Sequence, residues 1–382
     1  MAAVGLYDHA ARFRAHQAEL EAAFTRVMNS GRPDWGKEGP AFEQAWSDWI
    51  GVGHTVGTNS GMAALRLALL ALNLGPGDEV ITPVNSDIAS TAAIDQVGAT
   101  PVWVDVLPDT LNMDPAAVAR AITPRTRAIM AVHLYGHLAP MAELEQLARQ
   151  HDLLLIEDAC LAPGAVAPDA QGQPRAAGHW GQIACFSFAP TKHLGAFGSA
   201  GCCTTSSPQL AERMQLLVGY GQTRERVAAG LPGLDLLEAG INDRLDELQA
   251  AFLRTLLPHL AGWIAQRQTM AQRYQQGITH PSLAHPPTLP GYSHVYRNYV
   301  VQVDNRDRFD LLLRERGIAT HRPYAPALHQ QPAYANRPQA QLSFPVAEQT
   351  AGRLLSLPIW PQMTPDQQDF VIDRVNEVLE TL

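Results

Sequence analysis

The chain has 382 residues, 46 % hydrophobic and 17 % charged, enough material for a globular protein of two or so domains with a large core. Its net charge of -9 argues against nucleic acid or an anionic membrane as the main partner, and no run approaches the ~20 apolar residues of a membrane span. Cys160, Cys185, Cys202 and Cys203 show no CxxC or zinc-like spacing and the N-terminus has no signal-peptide pattern, so free thiols and a cytoplasmic location are expected.

Helical spacing over residues 7–29 puts Phe13, Leu20, Phe24 and Val27 toward one face, and Gly31-Arg32-Pro33 ends that helix. A second amphipathic segment, 41–50, is stopped by Gly51 and Gly53. From His54 the pattern changes to short apolar strands alternating with helices, as in an α/β domain. Strands are expected at 54–57, 79–82, 100–106, 128–134, 153–157, 183–188 and 200–205, with helices at 61–72, 88–97, 115–121 and 141–151. The near-continuous apolar runs imply a sheet covered on both faces, whose ligand sits beyond the carboxyl ends of the strands. A helical region at 242–276 is broken near Pro258, and the Pro- and His-dense loop 279–294 is the clearest boundary. A smaller α/β unit follows, with a strand at 296–303, a helix at 306–316, a Pro-rich irregular stretch and a helix at 365–379. This divides the chain into an N-terminal helical segment (1–53), a large domain (54–240), a linking helical region (241–290) and a small C-terminal domain (291–382).

Two residues carry the chemistry. The apolar strand ending in Phe188 runs into a loop that presents Lys192, and another apolar strand, Leu153-Leu154-Leu155-Ile156, is followed directly by Glu157-Asp158. Burial lowers a lysine pKa, and a neutral amine attacks carbonyls. A lysine to hold an aldehyde and an acid to keep a pyridine nitrogen protonated are the two groups that pyridoxal phosphate (PLP) requires of a protein. The alternatives are a solvated loop lysine and an ordinary helix cap. Asn59-Ser60-Gly61-Met62 turns from a strand into a helix, so its backbone N–H groups and the helix dipole can face the cofactor's phosphate; Ser60 would equally serve as an N-cap.

These stretches resemble the DegT-type, PLP-dependent sugar aminotransferases of fold type I. The similarity runs over about residues 32–361 through Gly57-Thr58-Asn59-Ser60-Gly61-Met62, Gly75-Pro76-Gly77-Asp78-Glu79-Val80, Val132-His133-Leu134-Tyr135-Gly136, Ile156-Glu157-Asp158-Ala159-Cys160, Phe186-Ser187-Phe188-Ala189-Pro190-Thr191-Lys192, Ile241-Asn242-Asp243-Arg244 and Leu328-His329-Gln330-Gln331-Pro332. The resemblance implies a mainly parallel seven-stranded sheet with helices on both faces plus a smaller C-terminal α/β domain. It implies Lys192 and Asp158 as catalytic residues, with Lys192 also shuttling a proton, and a phosphate contact from Ser187. Asn242 would reach the phosphate from the neighbouring subunit of a homodimer, giving a shared active site. Tyr324 and His329 fall in the stretch that approaches the sugar in relatives, where the family's His-Tyr-Pro is Pro323-Tyr324-Ala325 here. Arg244 reads as an ion-pair residue, and His133, Tyr135 and His137 as packing residues. Arg224, Glu225 and Arg226 read as a solvated loop.

The chain departs from the family pattern around the ring. Met62 stands where Thr or Ser is usual, and Asp87 where an aromatic commonly stacks on the ring. Leu161 replaces a Gln that contacts the phenolic oxygen, and Pro163 replaces a His. The expectation is retained cofactor binding with altered substrate choice, Asp87 either contacting the acceptor or capping a helix. The activity implied is transfer of an amino group from an amino acid, L-glutamate by resemblance, to a keto sugar that is nucleotide-linked. A keto-cyclitol acceptor, a non-catalytic sensor on the same fold, and another PLP reaction such as dehydration or epimerisation remain alternatives.

Overall fold

The computed structural model describes residues 3–223, 227 and 236–382; the charged run Arg224-Glu225-Arg226 lies outside the described residues. Three helices open the chain: α1 (His9–Ala15), α2 (Gln17–Ser30) and α3 (Glu38–Ile50). The expected single helix over 7–29 is two helices, broken at His16. Leu20 and Val27 are buried, while Phe13 and Phe24 are exposed and gather with Phe197 and Phe252 around a surface hollow. Gly31 and Gly51 end α2 and α3 in the left-handed conformation, with φ of 64° and 83°.

The large domain follows as β1 (His54–Thr58), α4 (Gly61–Ala71), β2 (Glu79–Pro83), α5 (Ile88–Gln96), β3 (Thr100–Val104), α6 (Pro115–Ala121), β4 (Thr126–Val132), α7 (Met141–Gln150), β5 (Leu154–Asp158), a small hairpin of β6 (Val166–Pro168) and β7 (Pro174–Ala176), β8 (Ile183–Ser187), β9 (Gly201–Thr205) and α8 (Pro208–Val218). The sheet has seven strands in the order β1-β9-β8-β5-β4-β2-β3. Only β9 runs against the others. The carboxyl ends of β1, β2, β5 and β8 therefore share one edge, and the turns after them form the floor of the site. One apolar core includes Phe42, Trp46, Phe186 and Phe188, and another is built on α4. Both faces of the sheet are covered, as the unbroken apolar strands require.

The helical region is α9 (Glu247–Leu256) and α10 (Leu260–Gly277), joined by a short 3₁₀ turn at Pro258. The small domain contains β10 (Leu283–Ala284), β11 (Tyr299–Val303), α11 (Arg306–Glu315), α12 (Pro345–Ala351), β12 (Leu354–Leu357) and α13 (Pro365–Leu379). Its three-stranded sheet runs β10-β11-β12. The stretch expected to be irregular thus holds α12 and β12, because β12 completes a sheet whose other strands lie far away in sequence. Val4 joins this unit by pairing with Ile318, so the N-terminal segment bridges both domains.

Candidate active site

Successive side chains of a strand point to opposite faces, and at the end of β5 this separates two acids. Glu157 turns into the packed layer, where it is fully buried. Its Oε1 accepts from Trp180 N (2.7 Å) and Gly181 N (3.1 Å), and Oε2 accepts from Gly178 N (2.9 Å). His133 Nε2 lies 3.0 Å from the same Oε2, so His133 is a structural partner. Asp158 faces the strand-end cleft instead. Its Oδ2 accepts from Ser90 Oγ on α5 (2.7 Å) and its Oδ1 from Cys160 N (3.2 Å). A carboxylate has about four lone-pair sites, so each oxygen can accept once more.

Lys192 stands in the loop after β8. The loop is fixed by backbone bonds: Phe188 N donates to Ala200 O, Ala196 N to Phe188 O and Lys192 N to Ala189 O, each at 2.8 Å. His193 reaches Val295 O at 2.8 Å, and Arg12 donates to Pro190 O at 3.1 Å. No hydrogen bond or ion pair of the Lys192 amine is found among the described residues. Burial, with the nearby positive charge of Arg297, lowers its pKa, opposed by Cys160, Asp158 and Asp87. Burial and the adjacent Asp158 hold the Cys160 thiol protonated.

At the start of α4, Ser60 Oγ accepts from Ala63 N (3.1 Å), so the N-cap reading of Ser60 holds. The N–H groups of Gly61 and Met62 have no intrahelical acceptor, as at any helix start. Gly61 is needed here: a Cβ would lie 2.6 Å from Ser187 Cβ and 3.0 Å from Ser187 Oγ. Gly201 is as tight, since a Cβ would meet the Ser60 carbonyl carbon at 2.5 Å. The two glycines let a helix N-terminus and the Ser187 hydroxyl approach one point.

These groups surround a cleft of about 240 Å³ whose lining includes Ser60, Asp87, Asp158, Ser187, Lys192 and Tyr324. Gly61, Met62, Cys160 and Leu161 also face it. Asp87 is exposed at its rim and caps α5, accepting from Ala89 N at 3.0 Å. Tyr324 enters from the small domain, its ring 5.7 Å from that of Tyr135 and nearly parallel to it. Asn242 does not line the cleft; it is exposed, on a segment bridged to Gly219. His329 also lies apart, buried with Nε2 3.2 Å from Glu348 and its ring against Phe344. Arg244 pairs with Asp34 and packs on the Trp35 ring. Ser90, bonded to Asp158, and Arg297, whose charge acts on Lys192, stand outside every motif of the sequence.

A cleft at the carboxyl ends of a mainly parallel sheet, with an unpaired lysine, a tethered acid and a helix N-terminus, defines a PLP-dependent enzyme of fold type I. The pattern of the DegT/DnrJ/EryC1/StrS aminotransferase family matches residues 14–376, and the chain belongs to that family. It is 42 % identical to a dTDP-3-amino-3,4,6-trideoxy-alpha-D-glucose transaminase of Streptomyces venezuelae, covering 99 % of this chain and 96 % of that one. It is 39 % identical to a UDP-N-acetyl-3-dehydro-alpha-D-glucosamine 3-aminotransferase of Acidithiobacillus ferrooxidans, over 96 % and 95 %. Its structure is similar to that of S. venezuelae DesV, with TM-score 0.93, 41 % identity and full coverage of both chains. The chain is an aminotransferase and its cofactor is pyridoxal phosphate. The cleft fits that group. The tight Gly61–Ser187 approach suits a phosphate, and Asp158 retains acceptor capacity for a ring N–H.

Proposed function

We propose that this aminotransferase takes an amino group from an amino acid, L-glutamate, and gives it to a nucleotide-linked keto sugar. The observation that carries the reading is the shared cleft of Lys192 and Asp158 with a ready phosphate cradle between Gly61 and Ser187. When bound, pyridoxal phosphate supplies the electron sink that makes the donor's carbon–hydrogen bond labile. Asp158 keeps the ring nitrogen protonated, and Ser90 keeps Asp158 in place. The α4 N–H groups, Ser60 and Ser187 bind the phosphate. Lys192 would hold the cofactor and, once released, move a proton from the donor's α-carbon to the cofactor's aldehyde carbon. Tyr324 and Leu161 line the same cleft and would limit water around the reacting atoms. The sugar acceptor is supported by relatives named as dTDP- and UDP-sugar transaminases.

The enzyme works as a homodimer, with Asn242 completing the neighbour's phosphate site; its exposure outside its own cleft supports this. Four free cysteines fit the reducing cytoplasm.

The test is spectroscopic. The yellow absorbance of the holoenzyme should bleach on L-glutamate alone and recover on adding a dTDP- or UDP-linked keto sugar. Absorbance indifferent to every amino donor would sink the transamination reading, and recovery only with free keto-cyclitols would move the acceptor to that class. Asp87→Asn preserves the α5 cap and removes one charge. Lost hydrogen bonds to a charged group should raise the acceptor KM roughly tenfold with melting unchanged. Steady-state kinetics on several acceptors decide it, since unchanged constants on all of them exclude the contact.

A further inference from the structure

A second, smaller cavity of about 30 Å³ shares Lys192 with the cofactor cleft and no other lining residue. Its walls come from three places: Tyr7 and Arg12 at the N-terminus, the Lys192 loop, and Arg267, Trp360 and Gln362 beside the small domain. Arg12, Arg267 and the adjoining Arg297 are all nine-tenths or more buried. Among the described residues, none has a carboxylate partner. Arg12 donates to Pro190 O and Ala196 O, Arg267 to Tyr296 O and Ile359 O, and Arg297 to Tyr7 Oη at 2.9 Å. The Nε of each has no partner. Arg306, equally buried, pairs with Asp307, so the fold supplies a counter-ion elsewhere.

Only one carboxylate lines the cavity, and it is already engaged. Asp8 accepts from Ala11 N at 2.8 Å, capping α1, and sits 3.7 Å from Arg14. Burial draws Arg12 down to about 10 and, with Arg297 adding repulsion, Arg267 to about 9; both stay charged at neutral pH. Burial alone would raise the Tyr7 phenol, yet Arg297, Arg267 and Lys192 together lower it, a mark of concentrated positive potential. Buried guanidiniums without an anion are unfavourable, and each still has N–H donors to spare. The volume admits one small anion or one carboxylate head, since a single water needs a comparable space.

We propose that this cavity is an anion site for a carboxylate, and that during turnover it holds the carboxylate of the amino donor beside Lys192. The second half rests on the transamination reading. An α-amino acid carries its carboxylate on the carbon that bears the amine, so a carboxylate pocket sharing Lys192 sets that carbon against the base. Arg12 and Arg267 are its binding residues, and Arg297, bonded to Tyr7, adds positive charge beside them.

Acetate is the probe. Holoenzyme is melted across an acetate series, with ionic strength held by the bulky sulfonate HEPES, and the rate of bleaching by L-glutamate is followed in the same series. Acetate should raise the melting temperature saturably and compete with L-glutamate. Arg12→Gln should abolish both effects and raise the half-saturating glutamate concentration about tenfold or more, as for loss of charged hydrogen bonds. Because Arg12 also ties down the Lys192 loop, Gln362→Glu is the second variant. It keeps those bonds and places a carboxylate in the cavity, so it should melt normally, ignore acetate and bind L-glutamate more weakly. Bleaching by L-glutamate with no acetate effect overturns the site and leaves the function standing. Acetate stabilisation without competition, or without bleaching by any amino acid, overturns the donor role.

Discussion

Replacing Lys192 by alanine is expected to leave a folded protein that binds pyridoxal phosphate without covalent attachment and no longer transfers amino groups. The loop does not depend on the ammonium, because backbone bonds, His193 and Arg12 hold it. On the proposed function two roles would vanish together: the anchor of the aldehyde and the base at the donor's α-carbon. Proton transfer alone is worth about 10²–10⁴-fold in rate. Turnover, cofactor retention on dialysis and circular dichroism check this, and a variant as active as the wild type would exclude Lys192 from both roles. The environment of the lysine adds a pH test. Burial and Arg297 disfavour its charged form, so the nucleophilic amine is available at lower pH than for an ordinary lysine. Uptake of the cofactor by apoprotein should rise with pH through a midpoint below the ordinary 10.5. Arg297→Gln should move that midpoint upward.

Glu157→Gln should be the most damaging substitution for stability. Both carboxylate oxygens accept from backbone N–H groups, and His133 adds a further bond. Glutamine can present only one oxygen, so its NH₂ must face a backbone donor in a dry layer. Breaking a buried, fully bonded charge costs about 3–5 kcal/mol. An apparent Tm lowered by about 5 °C or more is expected, with the loss largest near neutral pH. Burial raises this carboxyl, but His133 and the backbone donors outweigh it and hold it below the ordinary 4.5. A depressed carboxyl stabilises the fold above its unfolded pKa, and that contribution fades as pH falls through the folded value. Wild type and variant should therefore converge in acid. A constant gap down to low pH would show that Glu157 contributes by packing alone.

The seven strands of the large sheet were legible because most are short apolar runs closed by a polar or small residue, as a sheet covered on both faces requires; β6, β7, β10 and β12 were not. Asp158 and Lys192 were legible for a related reason, since charge at the end of such a run is rare. Helix α8 carried its own signal in Ser207-Pro208, a cap followed by a first-turn proline, and could have been read. Ser90 could not, because it meets Asp158 across 68 residues, and Arg12 meets Pro190 across 178. Position in sequence carries no trace of such pairings. The exposed Phe13 and Phe24 show the opposite failure, since helical spacing grouped them with Leu20 and Val27 and yet only the latter two are buried. His329 falls in the stretch that approaches the sugar in relatives, yet its Nε2 faces Glu348 and it does not line the cleft.

Helix α5 is only nine residues long, and its first turn does two jobs. Asp87 caps it at the mouth of the cleft, and Ser90 leaves the same turn to grip Asp158. On the function proposed above, a residue at position 87 that cannot cap α5 would also disturb the turn that carries Ser90, and with it the hold on Asp158. On that reading, acceptor choice and the hold on Asp158 share a single turn. Libraries that vary 87 and 90 jointly will reach combinations that a walk through single changes cannot.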